Sequence, residues 1–245
     1  MIRQLRIAHT SDVHLNDESD GHRVREAFSM VVDKVLEQEC DLFLIAGDLF
    51  DQNHIKKNTI DFVYEQLSRV SCPTVIIVGN HDCWDADSVM KRMDFSHAGS
   101  HVTLLDQASG QQVAFPDLHA TVWGRCMLDH SLSNKPMAGA PSRKDNLWHI
   151  GMAHGLYVED PDTARSSLIT PQEIEASGFD YLAMGHVHAH RQMFHGETLA
   201  CYPGVAAAHM GTQPHGCMAM VELTPGKKAK AVCLPLKQDP VRLRA

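Results

Sequence analysis

Three short apolar runs near the start of the chain, residues 5–8, 42–46 and 75–78, are separated by two segments of helical periodicity. Between the first two runs, Val24, Ala27, Phe28, Val31, Val32, Val35 and Leu36 recur at the i, i+3, i+4, i+7 spacing of one buried helix face. Ile60, Val63, Tyr64, Leu67 and Val70 repeat the pattern over residues 60–70. Strand, helix, strand, helix, strand at this spacing reads as βαβ units, because a parallel neighbour is reached only through a crossover. The pattern predicts an α/β fold with a mostly parallel sheet. It also predicts where a ligand binds, in the crevice outside the carboxyl ends of the strands.

The second half carries a different signal. Residues 102–105, 113–115, 118–123, 148–153, 181–184, 192–194, 198–202, 217–223 and 229–234 read as strands. Helix signal is confined to 171–176, with Thr170 as its cap, and residues 131–146 read as a surface loop rich in Ser, Pro, Gly and Ala. With no repeat and no linker, the expectation is a single domain over 1-245, two sheets packed as a sandwich and flanked by helices, with no separate capping domain. The 245 residues, 44% hydrophobic, suffice for one sizeable core.

No apolar stretch approaches the roughly 18 residues that cross a bilayer, and no signal peptide is apparent, so a cytoplasmic protein without a membrane partner is expected. The seven cysteines are odd in number, scattered and never spaced CxxC. They read as reduced thiols, with neither a disulfide frame nor a zinc knuckle.

Polar residues stand at the ends of five strands. Asp12-Val13-His14 follows the first, Gly47-Asp48 the second and Gly79-Asn80-His81-Asp82 the third. His154-Gly155 follows residues 148–153, and Gly185-His186-Val187-His188 follows 181–184. Taken singly these are weak signals; Gly-Asp is ordinary turn chemistry, and a lone loop histidine is more often hydrogen-bonded than ligating. Taken together, they deliver Asp12, His14, Asp48, Asn80, His154, His186 and His188 to one edge.

Seven oxygen and nitrogen ligands are too many for one tetrahedral zinc. They suit two divalent ions about 3.5–4 Å apart that share a bridging carboxylate and a bridging hydroxide. Such a pair serves displacement at phosphorus, because it generates the hydroxide nucleophile and binds the phosphoryl oxygens as charge builds. Without thiolates the set favours Mn²⁺, with Fe²⁺ or Zn²⁺ as alternatives, and its histidines argue against Mg²⁺. Histidine is also the compositional anomaly of the chain, at 17 residues.

In this order the motifs resemble the calcineurin-like metallophosphoesterases. The resemblance implies a four-layer α/β/β/α sandwich, two mixed sheets flanked by helices. It also implies that Asp12, His14, Asp48 and His188 hold one metal, and that Asp48 bridges to a second held with Asn80, His154 and His186. His81 would contact the phosphate and protonate the leaving oxygen, while Asp82 would orient His81 or brace its loop. Within the superfamily, "HTSDVHL", "AGDLFD", "GNHD", "DYLAMGHVHAH" and "CYPGV" are most similar to the nuclease subunit of SbcD-type DNA repair complexes. Some nucleases of that group carry a histidine where Asp51 stands here. They usually add a DNA-binding cap and a tail that docks on a coiled-coil ATPase; this sequence stops near residue 245, so neither is expected.

The functional expectation is a phosphodiesterase, a nuclease of the SbcD-like kind acting on single-stranded DNA or nucleic-acid ends. The alternatives are a phosphodiesterase or phosphatase for a small nucleotide or other soluble phosphoester, and, more remotely, a non-catalytic metal-binding scaffold. A net charge of -8 with only short basic pairs such as Lys56-Lys57 argues against gripping long duplexes, which takes a basic face. Trp84, Arg125 and Tyr157 are candidate substrate contacts. His9 reads as a strand-end group or one standing behind the ligands; His190, His195, His209 and His215 read as surface residues, with His190 or His209 as alternatives for the border of the substrate cleft.

Overall fold

The computed structural model describes residues 2–143, 145–161, 164–211 and 214–237. In chain order its elements are β1 (Leu5–Thr10), α1 (Gly21–Glu37), β2 (Leu42–Ala46), α2 (Lys57–Ser68), β3 (Thr74–Ile77), β4 (Val102–Leu104), β5 (Gln111–Phe115) and β6 (Ala120–Gly124). There follow β7 (Trp148–His154), β8 (Leu156–Tyr157), β9 (Leu168–Ile169), α3 (Pro171–Ser177), β10 (Tyr181–Gly185), β11 (His190–His195), β12 (Thr198–Pro203), β13 (Gly216–Leu223) and β14 (Lys230–Leu236).

Two six-stranded sheets form the body, ordered β14-β13-β1-β2-β3-β4 and β11-β12-β10-β7-β6-β5. β1 to β4 run parallel, as do β12, β10, β7 and β6; β13, β14, β11 and β5 pair antiparallel at the margins. Alternation along the strands builds the layers. Ile7, Leu44, Val75 and Ile77 face the second sheet, against Val122, Ile150, Tyr181 and Cys201. Ala8, Phe43, Ile45 and Ile76 face outward and bury Phe28, Val31, Val32, Val63 and Leu67 of α1 and α2. On the far side, Trp123 stacks on Phe179 beside Ile174 of α3. The result is helix, sheet, sheet, helix. At the amino ends of the strands the sheets are joined by Trp148 Nε1, which donates to the Arg3 carbonyl over 2.7 Å.

Most expected elements appear with their ends moved by one or two residues, and the differences have local causes. Residues 118–119 do not belong to a strand: Pro116 to Leu118 form a 3₁₀ turn and His119 takes φ 50°, so β6 starts at Ala120. Leu36 is 38% exposed, at the end of the helix face it was expected to help bury. Thr170 caps α3 through a reciprocal capping box with Glu173. Two-residue β8 and β9 pair in parallel and are additions.

The reading of all seven cysteines as unpaired is corrected. Cys217 and Cys233 are disulfide-bonded. They lie 16 residues apart with no motif around them, but β13 and β14 are neighbours, and the register that sets Cys233 opposite Ala219 puts Cys217 on the adjacent diagonal. Cys40, Cys72, Cys83, Cys126 and Cys201 are free. Among the described residues no helix is long and apolar enough to cross a membrane.

Candidate metal centre

The parallel registers bring the strand ends level. Thr10 pairs with Ile45, Ala46 with Ile77, and Gly185 with His154. Beyond these ends the loops remain zipped: the amides of Asp12, His14 and Leu15 donate to the carbonyls of Gly47, Asp48 and Leu49 over 2.9–3.0 Å. Within this ladder Asp12, His14, Asp48 and His186 have φ of 53°, 55°, 52° and 100°. Non-glycine residues held in sparsely populated backbone conformations cost about 1–3 kcal/mol each, and persist only where the surroundings over-determine them. Gly79 and Gly185 are needed for closeness: a Cβ at Gly79 would collide with the Asp48 carboxylate, and one at Gly185 with the Ala46 carbonyl.

All seven side chains meet at this edge. Asp12, His14 and His188 bring one ligand atom each within 4.8 Å of one another, and Asp12, Asp48 and His154 do the same. Asp48 Oδ2 lies 3.2 Å from His154 Nε2 and 4.0 Å from His14 Nε2, so it reaches one ring of each group. Asn80 Oδ1 sits 3.1 Å from His154 Nε2 and 2.9 Å from His186 Nδ1. Asp12 accepts from the His186 amide and the Ser11 hydroxyl, and Asp48 Oδ1 accepts from the His81 amide over 2.9 Å.

The chemistry of this donor set fits cations. His14 donates from Nδ1 to Asp51 over 3.0 Å and His188 from Nδ1 to the Met210 carbonyl over 3.1 Å. Their Nε2 atoms therefore meet head-on at 3.3 Å, an arrangement that needs a positive charge between two lone pairs. His154 donates from Nδ1 to the Ala46 carbonyl over 2.9 Å, which turns Nε2 toward the acceptors Asp48 Oδ2 and Asn80 Oδ1. Outer partners of this kind fix ring orientation and tautomer in metal sites.

The electrostatics agree. Burial opposes charge on His154, but the carboxylates of Asp48 and Asp12 and the Ala46 carbonyl outweigh it and push the imidazole up to about 10. Burial likewise opposes charge on His14, and hydrogen bonding to Asp51 with the charges of Asp48 and Asp12 raises it. Burial and then the charge on His154 push His186 down to about 4. Where the carboxylates crowd, positive charge is favoured, and a divalent ion answers the same demand.

Asp82 and His81 take different places. Asp82 is fully buried and accepts from the amides of Gly79, Leu49 and Phe50 at 2.7, 2.8 and 3.2 Å, bracing the loops after β2 and β3. Burial, and then the charge of Asp48, push its carboxyl up to about 6. The His81 ring is exposed, edge-on to His14 at 4.7 Å, and its partner is Asp51. Asp51 was not among the expected site residues, and the histidine that some relatives carry at its position was the one signal for it.

The three expected substrate contacts take different places, and Arg125 lines a small cavity together with His154. Trp84 packs on the first core beneath Lys91, whose Nζ lies 5.5 Å from its ring centre. Arg125 donates to the Lys135 carbonyl over 2.6 Å and fastens the loop around that residue. Tyr157 stacks on His195 with Arg191 over its face. His9 is fully buried and shares a 2.7 Å hydrogen bond with the Tyr181 hydroxyl; burial and then His190 push it down to about 3. His130, unmarked by any motif, lays its ring 5.4 Å from that of His186. It borders an open cleft of about 460 Å³ lined also by Ser131, Leu132, Leu156, Arg165 and His186.

Comparison with known proteins places this geometry. The model of the calcineurin-like phosphoesterase family matches residues 5–190. An uncharacterized metallophosphoesterase of Bacillus subtilis (strain 168), YhaO, is 24% identical over 232 residues, 83% of this chain and 53% of the relative. The DNA double-strand break repair protein Mre11 of Methanopyrus kandleri is 28% identical over 221 residues, 82% of this chain and 48% of the relative. The chain thus spans about half the length of the curated relatives it matches. Among solved structures, TT1561 of Thermus thermophilus shares the fold at a TM-score of 0.63 and 12% identity, over 94% of this chain and 98% of the other. A dimetal phosphatase from Danio rerio does so at 0.61 and 10%, over 94% and 98%.

Proposed function

The chain belongs to the calcineurin-like phosphoesterase family, and on that premise we propose that it is a metal-dependent phosphodiesterase acting on nucleic-acid ends, single strands or a nucleotide-like diester. The observation that carries this reading is the convergence of seven ligand side chains from two sheets with His81 beside them. Asp12, His14, Asp48 and His188 would hold one divalent ion, and Asp48, Asn80, His154 and His186 the other. The thiolate-free oxygen and nitrogen set favours Mn²⁺, with Fe²⁺ or Zn²⁺ as alternatives. Bound there, the ions supply an acidified water as nucleophile and a clamp on the phosphoryl oxygens.

The chain's own residues do the rest. His81 Nδ1 is tied to the Asp51 carbonyl, which leaves Nε2 to carry a proton to the leaving oxygen, the general-acid role. Asp82 keeps that loop in place through its three amide contacts. The cleft beside His186 is of the size that small-molecule ligands fill, about 300–1,000 Å³. Its Arg165 suits a neighbouring phosphate, and Leu132 and Leu156 suit the apolar face of a base. Similarity to the Mre11 protein supports a nucleic-acid substrate.

A panel of bis-p-nitrophenyl phosphate, the corresponding monoester, labelled single-stranded DNA and cyclic nucleotides, each with Mn²⁺, tests the reading. Rapid small-diester hydrolysis with no turnover of any oligonucleotide would sink the nuclease and leave the small-substrate enzyme. A protein that holds fewer than about one transition-metal ion per chain after reconstitution would be the scaffold instead.

A further inference from the structure

Away from the centre just described, a second group of ligating atoms sits between the two sheets at their margin. His190, Cys217 and Cys233 bring one ligand atom each within 4.8 Å of one another. They come from three strands: His190 opens β11 in one sheet, while Cys217 and Cys233 lie on β13 and β14 of the other. Gly204 keeps the space clear, since a Cβ there would press on the His190 amide and the Cys217 side chain at 3.2 and 3.4 Å.

Among the described residues, two imidazole nitrogens here are buried without a hydrogen-bond partner. His190 Nδ1 has no hydrogen bond, although the residue was expected at the surface. His9 spends Nδ1 on the Tyr181 hydroxyl and leaves Nε2 buried and unpaired. His9 lies opposite Ala219, which lies opposite Cys233, so all three share one rung and one face of the sheet. A buried polar atom without a partner carries a desolvation cost and calls for an explanation.

We propose that Cys217, Cys233 and His190 form a zinc site distinct from the dinuclear centre, masked by the Cys217–Cys233 disulfide and opened by a reductant, with the fourth position left to water or to His9 from the same face of the sheet. Two thiolates with one or two imidazoles are a donor set that Zn²⁺ takes in tetrahedral form. The cysteine Cα atoms are 6.1 Å apart and both side chains point into the same space, so the sulfurs can separate without moving the strands. Cys233 and His190 are only half-buried, which leaves an entry at the sheet margin. Opening takes two electrons and two protons: a dithiol reductant closes to its own disulfide, the Cys217–Cys233 bond breaks, and each Sγ takes a proton. Both protons leave to buffer when the cation binds.

Cobalt tests this, because thiolate-to-Co²⁺ charge transfer gives a near-ultraviolet band that the thiolate-free dinuclear centre cannot produce. The full chain is stripped with chelator and divided into an oxidised sample and one reduced with a trialkylphosphine, which takes its oxygen from water as the phosphine oxide and leaves two thiols. The reduced protein is expected to bind about one Co²⁺ per chain more than the oxidised protein, and to show the band, which Zn²⁺ then abolishes. Cys217→Ser and His190→Ala, checked for native circular dichroism, should lose or weaken the band while keeping the metal content of the oxidised protein. Equal Co²⁺ uptake without a band in both wild-type samples would overturn the proposal, whatever the variants do. So would an undiminished band in Cys217→Ser, which would assign it to another cysteine.

Discussion

His81 donates from Nδ1 to the backbone carbonyl of Asp51 over 2.8 Å, and the Asp51 carboxylate lies 3.5 Å from the same nitrogen. The same carboxylate accepts from His14 Nδ1 over 3.0 Å, and that bond, against burial, holds Asp51 below the usual carboxylate range. One residue thus steers a proposed proton donor and a proposed metal ligand. Asp51→Ala is expected to lower activity on diesters about 10–100-fold, the usual effect of removing a partner that orients a ligand. Metal analysis beside kcat separates the two routes, because loss through His14 lowers metal content and loss through His81 does not.

His81→Ala should keep both metals and lose about 10²–10⁴ in rate on diesters whose leaving group needs a proton. The p-nitrophenyl substrate, whose leaving group departs without one, should suffer less. If the variant could not bind metal, His81 would have to be a ligand and the acid assigned elsewhere.

Asp48→Ala should abolish turnover of every substrate, leaving group notwithstanding, because Asp48 Oδ2 is the atom that reaches rings of both groups. Chelation of the wild type should reproduce that phenotype, and Mn²⁺ should rescue the wild type only. Residual activity of the variant on p-nitrophenyl diesters at high Mn²⁺ would argue that Asp48 is not the bridge.

Asp82→Ala strips three buried amides of their acceptor, and an unsatisfied buried donor costs about 1–3 kcal/mol. A loss of about 3 kcal/mol in urea unfolding is expected, with Asp82→Asn milder because its carbonyl still accepts. A variant of unchanged stability would remove the brace from the account of this loop.

Asp17 supplies a pH test away from the site. It is 11% exposed and accepts from the Thr59 hydroxyl and the Lys56 amide at 2.6 and 2.8 Å. Burial works against its charge, but these bonds and the cations Lys56 and Arg25 hold the carboxyl below its ordinary 3.8. A depressed folded-state value stabilises fully above 3.8 and is lost as pH falls through the lower value. Asp17→Asn should therefore cost about 1 kcal/mol at pH 7, and the gap to wild type should close in acid. A gap that stayed constant down to the acid transition would count against the assignment.

The meeting of Asp12, His14, Asp48, Asn80, His154, His186 and His188 was legible because parallel strands deliver whatever follows them to one edge, and apolar runs mark those strands plainly. The company kept by each ring was not. Asp51 reaches His81 through the path of a loop, and His130 reaches His186 from a distant segment that carries no motif. The Cys217–Cys233 contact depends on hairpin register, which composition and spacing do not encode. The start of β6 was misjudged because an apolar residue, Leu118, is used in a turn before the strand. Trp84, Arg125 and Tyr157 were chosen for chemistry near a motif, and the structure shows what each side chain touches: the first core, the Lys135 carbonyl and the His195 ring.

The seven side chains are unevenly owned: Asp12, His14, Asp48 and Asn80 follow strands of one sheet, while His154, His186 and His188 end or follow strands of the other. Ions held between them would be rivets across a seam. At the opposite rim the sheets are stitched by the protein itself, through Trp148 and the Arg3 carbonyl. The sandwich is thus built like a book, with a spine the chain closes alone and a mouth where cations would reinforce the His154–Ala46 and His186–Asp12 hydrogen bonds between the sheets. Chelation should then quicken amide exchange in the loops at the mouth and leave the spine as slow as before. The metals would be structural members of the proposed enzyme as well as its reagents.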